Sequence, residues 1–240
     1  TPEEQRAIHE GYAAMFARCD ETFGSFIHGA ADKKAMEVPE EEREAFYERL
    51  FAEPGFGIWM ANYRDVLVDE AANATLSNFI AKKIRERVTD PAVAEKLIPK
   101  DHGFGTRRVP LETNYYEVYN QPNVQLIDVR ETPIERITPT GIHTSAGSFD
   151  VDLIIYATGF AAVTGAFERI AFVGEGGLTL RDKWADGPKT YLGMQFAGFP
   201  NLFAVVGPHN AAAFCNMPRC IEHNVEWIAN LLRFMREHGY

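Results

Sequence analysis

The run Leu153-Ile154-Ile155-Tyr156, followed at once by Ala157-Thr158-Gly159-Phe160, constrains the chain more than any other stretch. Four consecutive apolar or aromatic, β-favouring residues with no helical period read as a strand covered on both faces, the kind found in a parallel sheet. Such a strand needs neighbours and helical crossovers, so it points to an α/β fold. Ala157, Thr158 and Gly159 keep the backbone thin where the strand ends. In open α/β sheets that is where ligands sit, and glycine lets a large flat group approach closely. By spacing alone, a core strand with an ordinary turn is the plainer reading. A second apolar run, Leu202-Phe203-Ala204-Val205-Val206, also ends in a glycine turn, Gly207-Pro208-His209-Asn210. As neighbours in one sheet, the two would build one shared ligand site from their ends.

The rest of the chain divides by pattern. Thr1, Pro2 and Glu4 form a capping-box start, with Ile8, Tyr12, Met15, Phe16 and Cys19 at helical spacing up to Gly24. Pro39-Glu40-Glu41-Glu42 opens a second helix, a third spans about 68–88, and a short one runs from Pro91, capped by Asp90 or Thr89, to a stop before Pro99. The aromatic stripe Phe46, Tyr47, Phe51, Trp59 and Tyr63 fits core better than a ligand box. The first hundred residues are therefore helical. Beyond them come a glycine- and arginine-bearing loop (Lys100 to Pro110), a short helix at 113–119, a strand at 124–129, short strands at 133–138 and 142–144, and a last helix opened by Pro218.

Net charge is −10, against the basic face of a nucleic-acid binder, and no apolar run is long enough to span a membrane. The N-terminus is too acidic and polar for a signal peptide. Three cysteines, Cys19, Cys215 and Cys220, with no C-x-x-C, fit free thiols in a reducing cytoplasm. No His or Cys spacing suggests a metal site. In this acidic setting the adjacent pair Arg107-Arg108 needs a reason. Arginine binds phosphate in a bidentate fashion and keeps its charge when partly buried, although surface pairing with nearby acids accounts for it as well. His102 and His209 lie near glycine turns, with no nucleophile or carboxylate partner nearby in sequence. Neither a G-x-G-x-x-G fingerprint nor a Walker loop occurs.

The segments Lys100-Asp101-His102-Gly103-Phe104-Gly105-Thr106-Arg107-Arg108, Thr113-Asn114-Tyr115-Tyr116-Glu117, Ile155 to Phe160, Gly187 to Gly193, Gly198 to Phe203 and Gly207-Pro208 through Asn216-Met217 together resemble the later part of Baeyer–Villiger monooxygenases. The resemblance implies an incomplete two-dinucleotide-binding-domain flavoprotein fold with an N-terminal helical insert. In that scheme 1–100 is the helical insert of the NADP domain, 101–150 the closing part of that domain and 151–240 the return into the FAD-binding domain. It implies FAD and NADP as cofactors, a ketone and dioxygen as substrates, and oxygen insertion through a peroxyflavin to give an ester or lactone. Arg108 matches the family's catalytic arginine, and Arg107 a basic position facing the 2′-phosphate of NADPH, usually lysine. Ala157, Thr158 and Gly159 match an FAD-contacting turn, Asn216 and Met217 residues beside the isoalloxazine, and Ala212, Ala213 and Phe214 the substrate-lining bulge. Ala161 departs from the aspartate common after A-T-G-F, and both glycine fingerprints are missing. The expectation is a fragment, inactive alone and able to self-associate through exposed strand edges. N- or S-oxygenation and a non-catalytic interaction module are the alternatives.

Overall fold

The computed structural model describes residues 1–210 and 214–240. In chain order its helices are α1 (Pro2–Glu10), α2 (Tyr12–Asp20), α3 (Glu40–Ala52), α4 (Gly57–Met60), α5 (Glu70–Arg87) and α6 (Pro91–Leu97). Strands β1 (Ile134–Thr138), β2 (Gly141–Thr144) and β3 (Gly147–Asp150) follow, then α7 (Gly165–Glu168), α8 (Leu180–Lys183) and α9 (Met217–His238). They group into two compact units: Ala30–Ala157, and Thr1–Gly29 with Thr158–Tyr240. No helix among the described residues is long and apolar enough to cross a membrane.

In the unit Ala30–Ala157 the helices form where the sequence signals them. Three glutamates occupy the positive end of α3, and Asp69 caps α5 by accepting from the Ala72 amide at 2.9 Å. α5 buries Ala72, Asn73, Leu76, Phe79 and Ile84 along one stripe, of which Ala72, Leu76 and Phe79 pack with Tyr47, Tyr63 and Val66. The Tyr47 hydroxyl is satisfied by Thr75 at 2.9 Å. A second cluster, Ala81, Ile84, Val88, Ala94 and Ile98, joins α5 to α6. The antiparallel meander β1-β2-β3 aligns Ile137 with Ile142 and Ile142 with Phe149, so the two expected short strands are present and a third completes them.

Three expected elements in this unit are corrected. The strand at 124–129 does not form, because the Asp128 carbonyl collects the amides of Glu131 and Thr132 and turns the chain. The helix at 113–119 shrinks to a 3₁₀ turn at Glu117–Asn120, since Asn114 sits at φ +57°, outside helical space. Most consequentially, 153–156 is not a buried strand. It has no ladder partner, and Leu153, Ile155 and Tyr156 are 76, 80 and 68% exposed. A parallel-type strand is held by neighbours, and the one sheet among the described residues ends at β3.

In the other unit the capping box at Thr1 and Glu4 is present, but the first helix breaks at Gly11 into α1 and α2 instead of running on to Gly24. Leu180, Phe196, Phe199 and Ala204 form the core with Phe167 and Trp184, whose rings meet edge to face. The strand expected at 202–206 is reduced to one bridge, Gln195 with Phe203. Val206 turns to φ +54° and its amide donates to Asn224 Oδ1 of α9 at 2.8 Å, which ends any ladder. The expectation of three free thiols is also corrected: Cys215 and Cys220, which flank the start of α9, are joined, while Cys19 is free and buried.

Candidate functional site

The loop carrying Arg107 and Arg108 is bolted to α5 and α4 by side chains that sequence reading assigned to core or overlooked. Asn73, on the inner face of α5, donates through Nδ2 to the carbonyls of Val66 at 2.7 Å and Phe104 at 2.9 Å. Its Oδ1 accepts from Ser77 Oγ at 3.0 Å, and Ser77 Oγ in turn accepts from the Phe104 amide at 2.9 Å. Every buried polar atom in this knot is paired, the condition for it to stabilise rather than strain the core. The approach is close enough that a Cβ on Gly103 would stand 1.9 Å from Asn73 Oδ1. A polar residue on an otherwise apolar helical stripe was the available signal for Asn73. The Trp59 indole adds a second bolt, donating to the Gly105 carbonyl at 3.1 Å.

Beyond these anchors the two arginines differ. The Arg108 guanidinium lies over the rings of Phe56 and Trp59, 5.4 Å from each centroid. Arg107, exposed like Arg108, instead reaches Asp101 at 3.4 Å. Asp101 also meets His102 at 2.7 Å and Arg130 at 3.8 Å. The His102 hydrogen bond is the main reason its carboxyl titrates below the usual range. Arg107, Arg108 and His102 share the lining of a cavity of about 520 Å³ with Ile80 and Ile84 of α5 and with Val109 and Leu111. Arg87 fixes the far end of the segment, pairing with Glu112 at 2.7 Å and Glu117 at 2.5 Å while lying 4.9 Å from the Tyr116 ring centre. Both carboxyls are lowered chiefly by Arg87.

The remaining predicted residues fall at the end of this unit and in the other one. Ala157 closes the first unit; Thr158 and Gly159 open the second stretch of the other, all three exposed. Gly159 holds φ +83°, in the left-handed region, and an added Cβ would meet no atom within 4 Å. Asn216 is the N-cap position of α9, its amide donating to the Gly24 carbonyl at 2.7 Å, and Met217 is the first residue of that helix. Phe214 is half-buried in the turn before it, whereas Ala212 and Ala213 lie outside the described residues. His209 stands at φ +71° with its ring 3.0 Å from Thr190 Oγ1.

No family model matches the chain. Among curated proteins it is 48% identical over 238 residues to 2-oxo-Δ3-4,5,5-trimethylcyclopentenylacetyl-CoA monooxygenase of Pseudomonas putida, covering 99% of this chain and 44% of the relative. It is 38% identical over 244 residues to a Baeyer–Villiger monooxygenase of Pseudooceanicola batsensis, covering 100% and 44%. The chain is a homologue of the Baeyer–Villiger monooxygenases. A phenazine N-monooxygenase of Lysobacter antibioticus is 39% identical over 241 residues, covering 96% and 44%. The crystal structure of OTEMO in complex with FAD and NADP matches with a TM-score of 0.96 at 48% identity, covering 100% of this chain and 44% of that one. The mixed helical and sheet architecture is thus that of flavin monooxygenase structures. This Baeyer–Villiger homologue spans less than half the length of the relatives it matches.

Proposed function

We propose that the chain is part of an FAD- and NADPH-dependent monooxygenase that inserts oxygen next to a ketone carbonyl to give an ester or lactone. The observation that carries this is a guanidinium, Arg108, fixed over two aromatic rings in a loop that is itself bolted to a helix. When bound, the flavin activates dioxygen and NADPH supplies the hydride that reduces it. Arg108 places permanent positive charge where a carbonyl oxygen gains negative charge, and its preorganisation makes that charge effective in the transition state. Arg107 fits a 2′-phosphate: its pairing with Asp101 is long and exposed, the kind a phosphate displaces with little loss. The thin, left-handed turn at Thr158-Gly159 leaves room for a flat ring system, and Asn216 and Met217 stand at a helix start suited to polar ring atoms. Ala212, Ala213 and Phe214 are assigned to the substrate wall.

In this reading 1–100 corresponds to the helical insert, 101–150 to the closing part of the NADP-binding domain and 151–240 to the return into the FAD-binding domain. The compact grouping sets Thr1–Gly29 together with Thr158–Tyr240. We place the enzyme in the cytoplasm, where NADPH is supplied. Taken alone, the chain exposes Leu153, Ile155 and Tyr156, a surface that favours self-association.

The test is product analysis with the intact protein containing this chain. A ketone should give an ester or lactone with stoichiometric NADPH oxidation, and Arg108→Ala should abolish the product while flavin stays bound. The 240-residue chain alone should show no ketone-dependent NADPH oxidation. N-oxygenation is the second reading, favoured by the phenazine N-monooxygenase relative. Conversion of an aromatic amine with no ester from any ketone would establish it instead.

A further inference from the structure

We propose that Trp59 is a positioning residue for Arg108, an inference that rests on the role given to Arg108 above. The indole is 1% exposed and performs two separable tasks. Its edge fixes backbone: Nε1 donates to the Gly105 carbonyl at 3.1 Å, three residues before Arg108. Gly105 holds φ +77°, and a Cβ there would stand 2.8 Å from Trp59 Cδ1, so the loop is pressed directly onto the ring. Its face holds charge: the Arg108 Cζ sits 5.4 Å from the ring centre. Phe56, one helical turn earlier, stands edge-on to Trp59 at 5.7 Å and 71° and offers its own face to the same guanidinium at 5.4 Å. The i, i+3 spacing on a short helix start is what brings the two rings together.

A core tryptophan needs only packing. This one turns its one side-chain donor to the arginine loop and its face to the arginine. An arginine side chain has many rotamers, and restricting them fixes where the charge falls. Misplacing a catalytic group by about 1 Å can lower a rate on the order of a hundredfold. Loss of one of two rings should have a smaller effect, about tenfold.

The experiment uses the intact, flavin-loaded protein and the variants Trp59→Leu, Trp59→Phe, Phe56→Leu and Arg108→Ala. Trp59→Leu should lower ester formed per NADPH oxidised about tenfold, with the excess appearing as hydrogen peroxide, while the KM for NADPH and the rate of flavin reduction stay within about twofold. Trp59→Phe, which keeps a face and loses the donor, should recover most of the ester yield. Independently of turnover, the Trp59 indole ¹⁵N–¹H resonance should shift in Arg108→Ala. The proposal is overturned if Trp59→Leu retains parental coupling or if that resonance does not move. Should Trp59→Leu fail to fold, Phe56→Leu decides by the same coupling measurement. If Arg108→Ala removes ester formation while the ring variants keep it, positioning alone is wrong. If Arg108→Ala keeps making ester, both readings fall.

Discussion

Residues 103–112 and 151–160 make an instructive pair. The second stretch is the more apolar, with Val151, Leu153, Ile154, Ile155, Tyr156 and Phe160, yet it is the more exposed: Ile155 is 80% and Phe160 fully exposed. The first carries two charged arginines but has its backbone pinned at Phe104 and Gly105 by Asn73, Ser77 and Trp59. The difference lies in where each stretch finds partners. Helix α5 satisfies its own backbone and can spend side chains on a neighbouring loop. An apolar strand can be buried only where a neighbouring strand takes up its backbone donors and acceptors. Hydrophobicity states that burial is favourable; it does not supply the partner.

The comparison breaks if the two regions respond alike to truncation. Phe79, 1% exposed and ringed by Tyr47 and Phe51, anchors the block that holds the arginine loop. Phe79→Ala should destabilise the chain by about 3–5 kcal/mol in urea unfolding. Ile155→Ala should fall within about 0.5 kcal/mol. Repeating Ile155→Ala in the intact protein sharpens the contrast. A loss of about 2–4 kcal/mol there, and none in the 240-residue chain, would mean that sequence beyond this chain covers the run.

The same contrast explains what the sequence disclosed. Helices α3, α5 and α6 were legible because caps, acidic first turns and apolar stripes are local signals, and their ends fall within two residues of expectation. The hairpin strands β1 and β2 were legible because their partner is a turn away. The runs at 124–129, 153–156 and 202–206 were misread as strands because composition cannot reveal an absent neighbour. At the site, the arginine pair stood out as unusual chemistry in an acidic chain. Trp59 and Asn73 did not, since an aromatic on a core stripe and an amide within a helix are ordinary until a loop some thirty or more residues away is seen to dock on them.

Next in size is the knot itself. Asn73→Ala leaves the Phe104 and Val66 carbonyls without their amide donor and should lower stability by about 1–3 kcal/mol. Its signature is faster hydrogen exchange at the Phe104 amide with unchanged exchange in β1 and β2. The glycines extend the contrast between the two stretches. Gly105→Ala meets both a left-handed φ and the Trp59 ring at 2.8 Å, whereas Gly159→Ala meets the left-handed φ alone, in open space. Gly159→Ala should therefore cost about 1–2 kcal/mol and Gly105→Ala distinctly more. Equal unfolding midpoints would show that the loop yields to the added methyl and is not clamped.

The smallest effect concerns the acid limb of stability. Arg87 holds the carboxyl groups of Glu112 and Glu117 below their ordinary value of 4.5 by direct hydrogen bonds. A carboxyl lowered in the folded state binds fewer protons there than in the unfolded chain. Its contribution is thus complete above the ordinary carboxylate range and is lost as pH falls through the lowered folded value. Between pH 6 and pH 3 the parent chain should lose an increment of stability that Arg87→Gln lacks, so the two urea-midpoint curves converge as pH falls. The cation–π contact of Arg87 with Tyr116 does not titrate in this window, and its loss displaces the variant curve equally at every pH. Convergence therefore isolates the carboxylate clamp from the ring contact. Curves that stay parallel would mean that Glu112 and Glu117 leave the segment free at its far end, with Asn73 and Trp59 as its remaining anchors.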